Sequence, residues 1–497
     1  MEPPLLDCDT IIRNVLIIDG SGNEPRTGGV AITGGRISAV GDVSGCRSND
    51  TVEGHSQSLA PGFIDAHTHD DLYLIRSPQM LPKLSQGVTT VIAGNCGISG
   101  SPVPVKQEPP VPANLLGVAD EFRYPTFRDY VDAVKAAEPA VNVAAFVGHT
   151  TLRNNHMDRL DRPAASTEVS AMRAQLSEAL RHGALGLSTG LAYRSAHAAS
   201  EDEVSKLAEP LSDHEAIYAT HMRTEGAQIL TAIDEALRLG RRLNVPVVIS
   251  HLKCVGIDNW HRSGEVLALL QNAIANQVIG WDCYPYAASS TTLDLGQVDE
   301  RIRITITWST PFPALAGQPL SQIAESWGLS QIDAARRLQP AGAIYHGMSE
   351  DDVQAILQHR ETMIGSDGLP NDRFPHPRLW GTFPRVLGHY SRENQLISLA
   401  DAVRKMTSLP AQRFRLHDRG WIKQGYAADL VLFDPHSVCD EATFASPTTP
   451  ASGITSVWVN GTLSYTKQGP AAQRAGRFLS RQSARKMNSL ISQGETQ

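Results

Sequence analysis

Between residues 63 and 365 the chain alternates short apolar runs with helix-patterned stretches. The runs fall at 63–66, 89–93, 143–147, 185–188, 217–220, 246–250, 278–282 and 362–365. Between them lie helical signals. Residues 167–181 form one, with Ser166 or Thr167 able to cap it. Residues 201–213 form another, opened by Ser200 with Glu203 three positions on, the pattern of a capping box. Residues 224–242 and 263–276 repeat apolar side chains with a period near 3.6. Eight short apolar strands separated by helices predict an α/β fold, a parallel (β/α)8 TIM-like barrel.

The flanks read differently. Residues 10–19 alternate, Ser21-Gly22-Asn23 turns, and residues 29–32 and 36–40 follow around Thr33-Gly34-Gly35. At the far end, 429–433 and 455–460 are β-branched and apolar, bounded by Pro435 and Gly461. The expectation is a small β-sandwich domain built from both chain ends, 1–60 and 415–480, around a barrel at 61–414. Residues 289–358 interrupt the repeat before the last strand and carry a helical pattern at 320–338. They read as an insertion over one mouth of the barrel. Residues 101–113 hold five prolines, too many for a helix or a central strand, and read as a long loop. The polar tail beyond 480 reads as frayed.

Composition narrows the function. With 41% hydrophobic and 19% charged residues, the chain can build a large core. Its 44 Lys+Arg against 52 Asp+Glu give a net charge of −8, which argues against a nucleic-acid or anionic-membrane surface. No run approaches the ~20 apolar residues of a membrane span. Residues 1–9 are acidic and hold two prolines, unlike a secretory leader. Cys8, Cys46, Cys96, Cys254, Cys283 and Cys439 are too widely scattered for a disulfide framework. A reduced, cytoplasmic enzyme is the expectation.

Polar residues gather where the strands end. The first strand runs into Asp65-Ala66-His67-Thr68-His69-Asp70, and alternation puts His67 and His69 on one face. The second runs into Asn95-Cys96. His149, His221, His251 and Asp367 end the third, fifth, sixth and eighth. In a barrel these ends form the active-site face. Singly, each has an ordinary reading. A buried cysteine is usually a small hydrophobe, and an aspartate before Gly368 can simply make a turn. Together they are potential ligands converging on one mouth, and metal binding becomes the better account. His, Cys and carboxylate suit zinc best, although manganese or iron accept some of these donors. Bound zinc brings the pKa of a water toward ~7, and Asp367 could take that water's proton.

Several stretches resemble a known family. Pro61-Gly62-Phe63-Ile64-Asp65-Ala66-His67-Thr68-His69-Asp70-Asp71 is similar to the opening signature of the amidohydrolase superfamily. Narrower matches are Gly87-Val88-Thr89-Thr90, Gly94-Asn95-Cys96-Gly97-Ile98-Ser99, Thr220-His221-Met222-Arg223 and Ser250-His251-Leu252-Lys253. Gly365-Ser366-Asp367-Gly368-Leu369-Pro370 and His376-Pro377-Arg378-Leu379-Trp380-Gly381 complete the set. Together they resemble the N-acyl-D-amino-acid deacylases, from residue 11 to about 476.

The resemblance implies a barrel, a small β domain and an insertion before the last strand. It implies zinc held mainly by Cys96, His221 and His251. His67 and His69 would form a second, weaker site sharing Cys96, which stands where most relatives carry a bridging carboxylated lysine or glutamate. It maps Asp367 onto the catalytic acid/base, and Lys253, Tyr284 and Arg378 onto binding of the substrate carboxylate. Tyr193 and Ser290 are further substrate-binding candidates. The implied reaction is hydrolysis of a small-molecule N-acyl-D-amino acid. Rival readings are a hydantoinase-like cyclic-amide hydrolase, an inactive barrel, and a thiol enzyme using Cys96 with His149 or His221 as base. Cys96 in the bridging place argues against the first, and the intact ligand set against the second.

Overall fold

The computed structural model describes residues 6–103 and 109–481. Residues 1–5, on which the leader reading partly rests, lie outside the described residues. So do 104–108 of the proline-rich stretch and the tail from 482.

The chain is a mixed α/β protein. Eight parallel strand positions follow one another: Phe63–Asp65, Val88–Ala93, Asn142–Ala145 continued by Val147–Gly148, Gly186–Gly190, Ile217–His221, Val247–Ile249, Ile279–Cys283 and Thr362–Ile364. Neighbours in this order pair in parallel. Phe146 breaks the third strand, yet the ladder continues across it. Phe146 N donates to Ala93 O at 2.9 Å, and Leu185 N donates to Ala145 O at 2.8 Å. The last strand meets the first, because Ala66 N donates to Ile364 O at 3.1 Å and Asp367 N to His67 O at 2.8 Å. Alternation sorts the side chains. Ile217 and Ala219 join Ile64, Ile92, Phe146 and Met363 in one enclosed cluster, while Tyr218 joins the larger core shared with the helices.

The helices follow the expected places with local differences. Residues 166–181 are helical from Ser166, but neither Ser166 nor Thr167 caps them. The cap is Ala165, whose N donates to Glu168 Oε2 at 2.7 Å. Residues 201–213 form two helices, Glu201–Ala208 and Pro210–Asp213, with Pro210 opening the second. Ser200 Oγ accepts from Glu203 N at 3.1 Å, but the Glu203 carboxylate turns inward to His149 and Arg153 instead of closing a capping box. The 224–242 pattern becomes a helix only at Ile229–Leu243.

Both chain ends share one sheet. Leu430–Phe433 pairs antiparallel with Ser58–Pro61, which pairs in parallel with Thr10–Ile17. The sheet reaches nine strands among the described residues. Between the seventh and eighth parallel strands, Ser289–Thr292, Ile304–Ser309 and Ala341–Tyr345 make an antiparallel sheet with its own core of Ile306, Leu320, Ile323 and Leu338. The 320–338 pattern is two helices, Leu320–Trp327 and Gln331–Leu338. Gly328 ends the first in the left-handed region, and Ser330 Oγ caps the second. Glu350–Gln358 packs against the seventh and eighth strands.

Candidate metal centre and active site

The strand ends bring two donor groups together. His67, His69, Cys96 and Asp367 form one, and Cys96, His221 and His251 the other; within each, the ligand atoms lie within 4.8 Å of one another. Cys96 belongs to both. Its Sγ is 3.2 Å from His67 Nε2 and 3.2 Å from His251 Nε2. His251 Nε2 lies 3.0 Å from His221 Nδ1, and His69 Nε2 lies 3.1 Å from Asp367 Oδ1. All are buried, with His221 the most open at 9% exposure. Nitrogen and sulfur donors facing one another at such distances, in an enclosed site, fit a zinc-type ion.

The backbone is shaped to do this. Cys96, His251 and Asp367 have φ of 54, 37 and 49°, in the left-handed region. Such residues cost roughly 1–3 kcal/mol each and persist where surrounding contacts hold them. Gly97 N donates to Ser188 Oγ at 3.1 Å, steadying the loop after Cys96. His251 N donates to Asp282 Oδ1 at 3.0 Å. A buried network ties the first strand to the eighth. Lys83 Nζ donates to Asp65 Oδ2 at 2.8 Å and to Ser366 Oγ at 2.9 Å, and Ser366 N donates to Asp65 Oδ1 at 2.7 Å.

Electrostatics favour an ionised centre. Burial resists charge on Cys96, but His67 and His251 beside it hold the thiol well below its ordinary value. Burial also resists charge on Asp367, where Arg378 and then His251 prevail and keep the carboxyl well below the usual carboxylate range. Arg378 Nη2 also donates to Ser290 O at 3.0 Å, while its Nε has no hydrogen-bond partner among the described residues.

The other candidates gather around the same opening. The Tyr284 ring has Arg378 Cζ 4.5 Å and Lys253 Nζ 5.7 Å from its centroid. Tyr193 packs its ring 5.0 Å from that of His221 and shares a hydrogen bond with Thr291 Oγ1 at 3.1 Å. Ser290 Oγ is buried and has no hydrogen-bond partner among the described residues. A cavity of about 730 Å³ has His69, His221, His251, Lys253, Tyr284 and Asp367 in its wall. Thr292, Gln297 and Pro340 line it from the insertion, and Val111 from the proline-rich segment, with Leu115 just beyond that segment. That segment therefore borders the opening.

His149 does not join the donors. It opens the helix His149–His156, and its Nε2 lies 3.1 Å from Glu203 Oε1, in a buried cluster with Arg153. Sequence reasoning missed Glu225 and Asp282. Glu225 Oε1 lies 2.9 Å from His251 Nδ1 and accepts from Lys253 Nζ at 2.6 Å. Asp282 Oδ1 lies 3.5 Å from His67 Nδ1. Glu225 sits four residues beyond His221, in a stretch that reads as the start of a helix. Asp282 lies one residue before the end of the seventh strand, and its place near that end was the available signal.

Known proteins place the chain. A profile of the amidohydrolase family matches residues 57–257 and 273–465. The chain is 50% identical over 476 residues to a D-aminoacylase of Alcaligenes xylosoxydans xylosoxydans, covering 96% of this chain and 98% of the other. An N-acyl-D-aspartate deacylase and an N-acyl-D-glutamate deacylase of the same organism are 47% and 45% identical. Each match covers 95% of this chain, with 95% and 96% of the relative. A solved structure of D-aminoacylase, described by its binuclear metal centre with one-metal activation and second-metal attenuation, superposes with a TM-score of 0.94 at 50% identity. It matches 95% of this chain and all of the other. N-acyl-D-glutamate deacylase from Bordetella bronchiseptica, complexed with zinc and a phosphonate inhibitor, gives 0.91 at 41% identity with the same coverage. A D-hydantoinase at 13% identity gives 0.58 over 95% of this chain and 99% of the other, a likeness of fold alone. The chain belongs to the amidohydrolase family, in the branch of the D-aminoacylases and N-acyl-D-amino-acid deacylases.

Proposed function

We propose that the protein hydrolyses the amide bond of N-acyl-D-amino acids, releasing a carboxylate and a free D-amino acid. The observation that carries this reading is Cys96 Sγ shared between two donor groups, with Asp367 on one of them and paired to Arg378. Cys96, His221 and His251 would hold one zinc ion tightly, and His67 and His69 would share Cys96 in a weaker second site. Bound zinc supplies Lewis acidity and a water that ionises near neutral pH. Asp367, held ionised, takes the proton of the attacking water and returns it to the leaving nitrogen. Arg378, Lys253 and Tyr284 bind the substrate carboxylate, with a donor of Arg378 still free to pair. Tyr193 and Ser290 meet the rest of the substrate in the cavity wall. Three fixed points, the carboxylate, the scissile carbonyl and the side chain, distinguish D from L.

The same reading makes the parallel strands a (β/α)8 barrel at 61–414, and the shared end sheet a β-sandwich domain at 1–60 and 415–480. The insertion at 289–358 forms part of the side-chain pocket. No helix among the described residues is long and apolar enough to cross a membrane. All six cysteines are free, which supports a reducing, cytoplasmic setting.

The test is amine release from N-acetyl-D-methionine and N-acetyl-L-methionine in parallel, using zinc-loaded protein. Selective cleavage of the D form supports the assignment. Cleavage only of N-acetyl-D-aspartate or N-acetyl-D-glutamate keeps the reaction and makes the pocket cationic. If none of these is cleaved, the deacylase reading falls and a cyclic amide becomes the substrate to try.

A further inference from the structure

We propose that Glu225 is a positioning residue that fixes His251 as an Nε2 metal ligand, against the pull of the neighbouring Lys253. The inference rests on the metal-hydrolase reading above.

Three polar groups meet at one point. Glu225 Oε1 lies 2.9 Å from His251 Nδ1 and 2.6 Å from Lys253 Nζ, and Lys253 Nζ is itself 2.8 Å from His251 Nδ1. Lys253 also donates to His251 O at 3.0 Å. Lys253 and His251 are 5% and 2% exposed, so water does not screen or replace these contacts.

A neutral imidazole carries one proton. His251 Nε2 is the nitrogen that faces Cys96 and His221, so ligation through Nε2 requires the proton on Nδ1. An ammonium has only donors. If Lys253 donated to Nδ1, the proton would sit on Nε2 and block that atom as a ligand. Glu225 removes the conflict. Its oxygen stands within hydrogen-bond distance of both Nδ1 and Lys253 Nζ, so with the proton on Nδ1 it can accept from both, and the imidazole takes the ligating tautomer while the lysine stays at the cavity wall. The same oxygen therefore serves a metal ligand and a substrate-binding cation. His69 has no such support, since its Nδ1 has no hydrogen-bond partner among the described residues.

The test is zinc affinity by chelator competition, with Co(II) absorption as a signature of ligand geometry and circular dichroism as a check on folding. Glu225→Ala should weaken zinc binding by about 10- to 100-fold, the range seen when an outer partner of a ligating histidine is lost. Glu225→Gln, which keeps an acceptor oxygen, should lose less. In the double variant Glu225→Ala/Lys253→Met the competing donor is gone, and zinc affinity should recover in part. Lys253→Met alone should raise KM for an N-acyl-D-amino acid and keep zinc affinity. A folded Glu225→Ala protein with unchanged zinc affinity and Co(II) spectrum overturns the proposal, as does a double variant no better than Glu225→Ala. If the unsubstituted protein binds no zinc, the metal-hydrolase reading itself fails, and the role of Glu225 with it. Zinc binding without cleavage of any N-acyl-D-amino acid would sink the substrate assignment while the comparison of affinities still decides on Glu225.

Discussion

Arg378 Nη1 lies 3.0 Å from Asp367 Oδ2, with both residues in the buried part of the site. The other Asp367 oxygen faces His69 Nε2 at 3.1 Å. The carboxylate is thus fixed at both oxygens in the state that can accept a proton. Asp367→Asn keeps the shape and removes the base. Turnover should fall by about 10²- to 10⁴-fold, the usual weight of a positioned acid/base, with the zinc of the Cys96, His221 and His251 group retained. Steady-state kinetics and metal analysis on one preparation check this, and full activity would remove Asp367 from the mechanism.

Cys96 is the residue common to both donor groups. Cys96→Ala should therefore lower zinc content beyond what His67→Ala or His221→Ala does, since each histidine belongs to a single group. Elemental analysis after dialysis against a weak chelator reads the difference. A thiol enzyme behaves otherwise, because stripping the metal would leave it active. Equal zinc loss in all three variants would count against the shared ligand.

Glu203 links His149 and Arg153 in a buried cluster away from the donors. Burial opposes its charge, but His149, then the Ala164 N–H and then Arg153 outweigh it and bring the carboxyl to about 2 from its ordinary 4.5. The folded value lies below the unfolded one. The group therefore adds stability above pH 4.5, and the gain disappears as pH falls from 4.5 through about 2. The shift corresponds to about 3 kcal/mol. Glu203→Gln should flatten the acid limb of stability and also cost several kcal/mol at neutral pH, by leaving Arg153 without its anion. Urea unfolding at pH 7, 4.5 and 3 measures both effects; an unaltered pH slope would refute the assignment.

Gly190 ends the fourth parallel strand against the Cys96 backbone. A Cβ there would fall 2.1 Å from Cys96 O, a contact that cannot be relieved by turning a side chain. Gly190→Ala should cost about 1–3 kcal/mol or more, and should weaken zinc binding by displacing Cys96. Thermal unfolding with and without zinc separates the two losses. Retention of both would show that the loop yields freely.

Much of this architecture is legible in the residues. The eight apolar runs occupy strand positions because a four- or five-residue stretch bounded by turn signals has few alternatives. His67, His69, His221 and His251 come together because pairing in parallel sets those strand ends at one face, whereas His149 turns to Glu203. Local competition was less visible. Ser166 reads as a cap, yet Glu168 reaches back to Ala165 and moves the boundary. Glu203 fits a capping box, yet its carboxylate is drawn to buried His149 and Arg153 and to the Ala164 N–H instead of the Ser200 N–H. Glu225 left no local mark, since its partners His251 and Lys253 are about 26–28 positions further on and only tertiary folding brings them near.

The pairing of Ser58–Pro61 with Leu430–Phe433 sets an order on biosynthesis. A ribosome that has released the first sixty residues has not begun the strand that flanks them, and 368 residues, 62–429, intervene. Until then, Leu59 and its neighbours present an open apolar edge, the kind of surface that recruits other chains. A nascent protein halted before residue 430 would keep that edge exposed, even with every metal-binding side chain already made. Truncations from the carboxyl end should therefore be lost to aggregation before they are lost to chemistry.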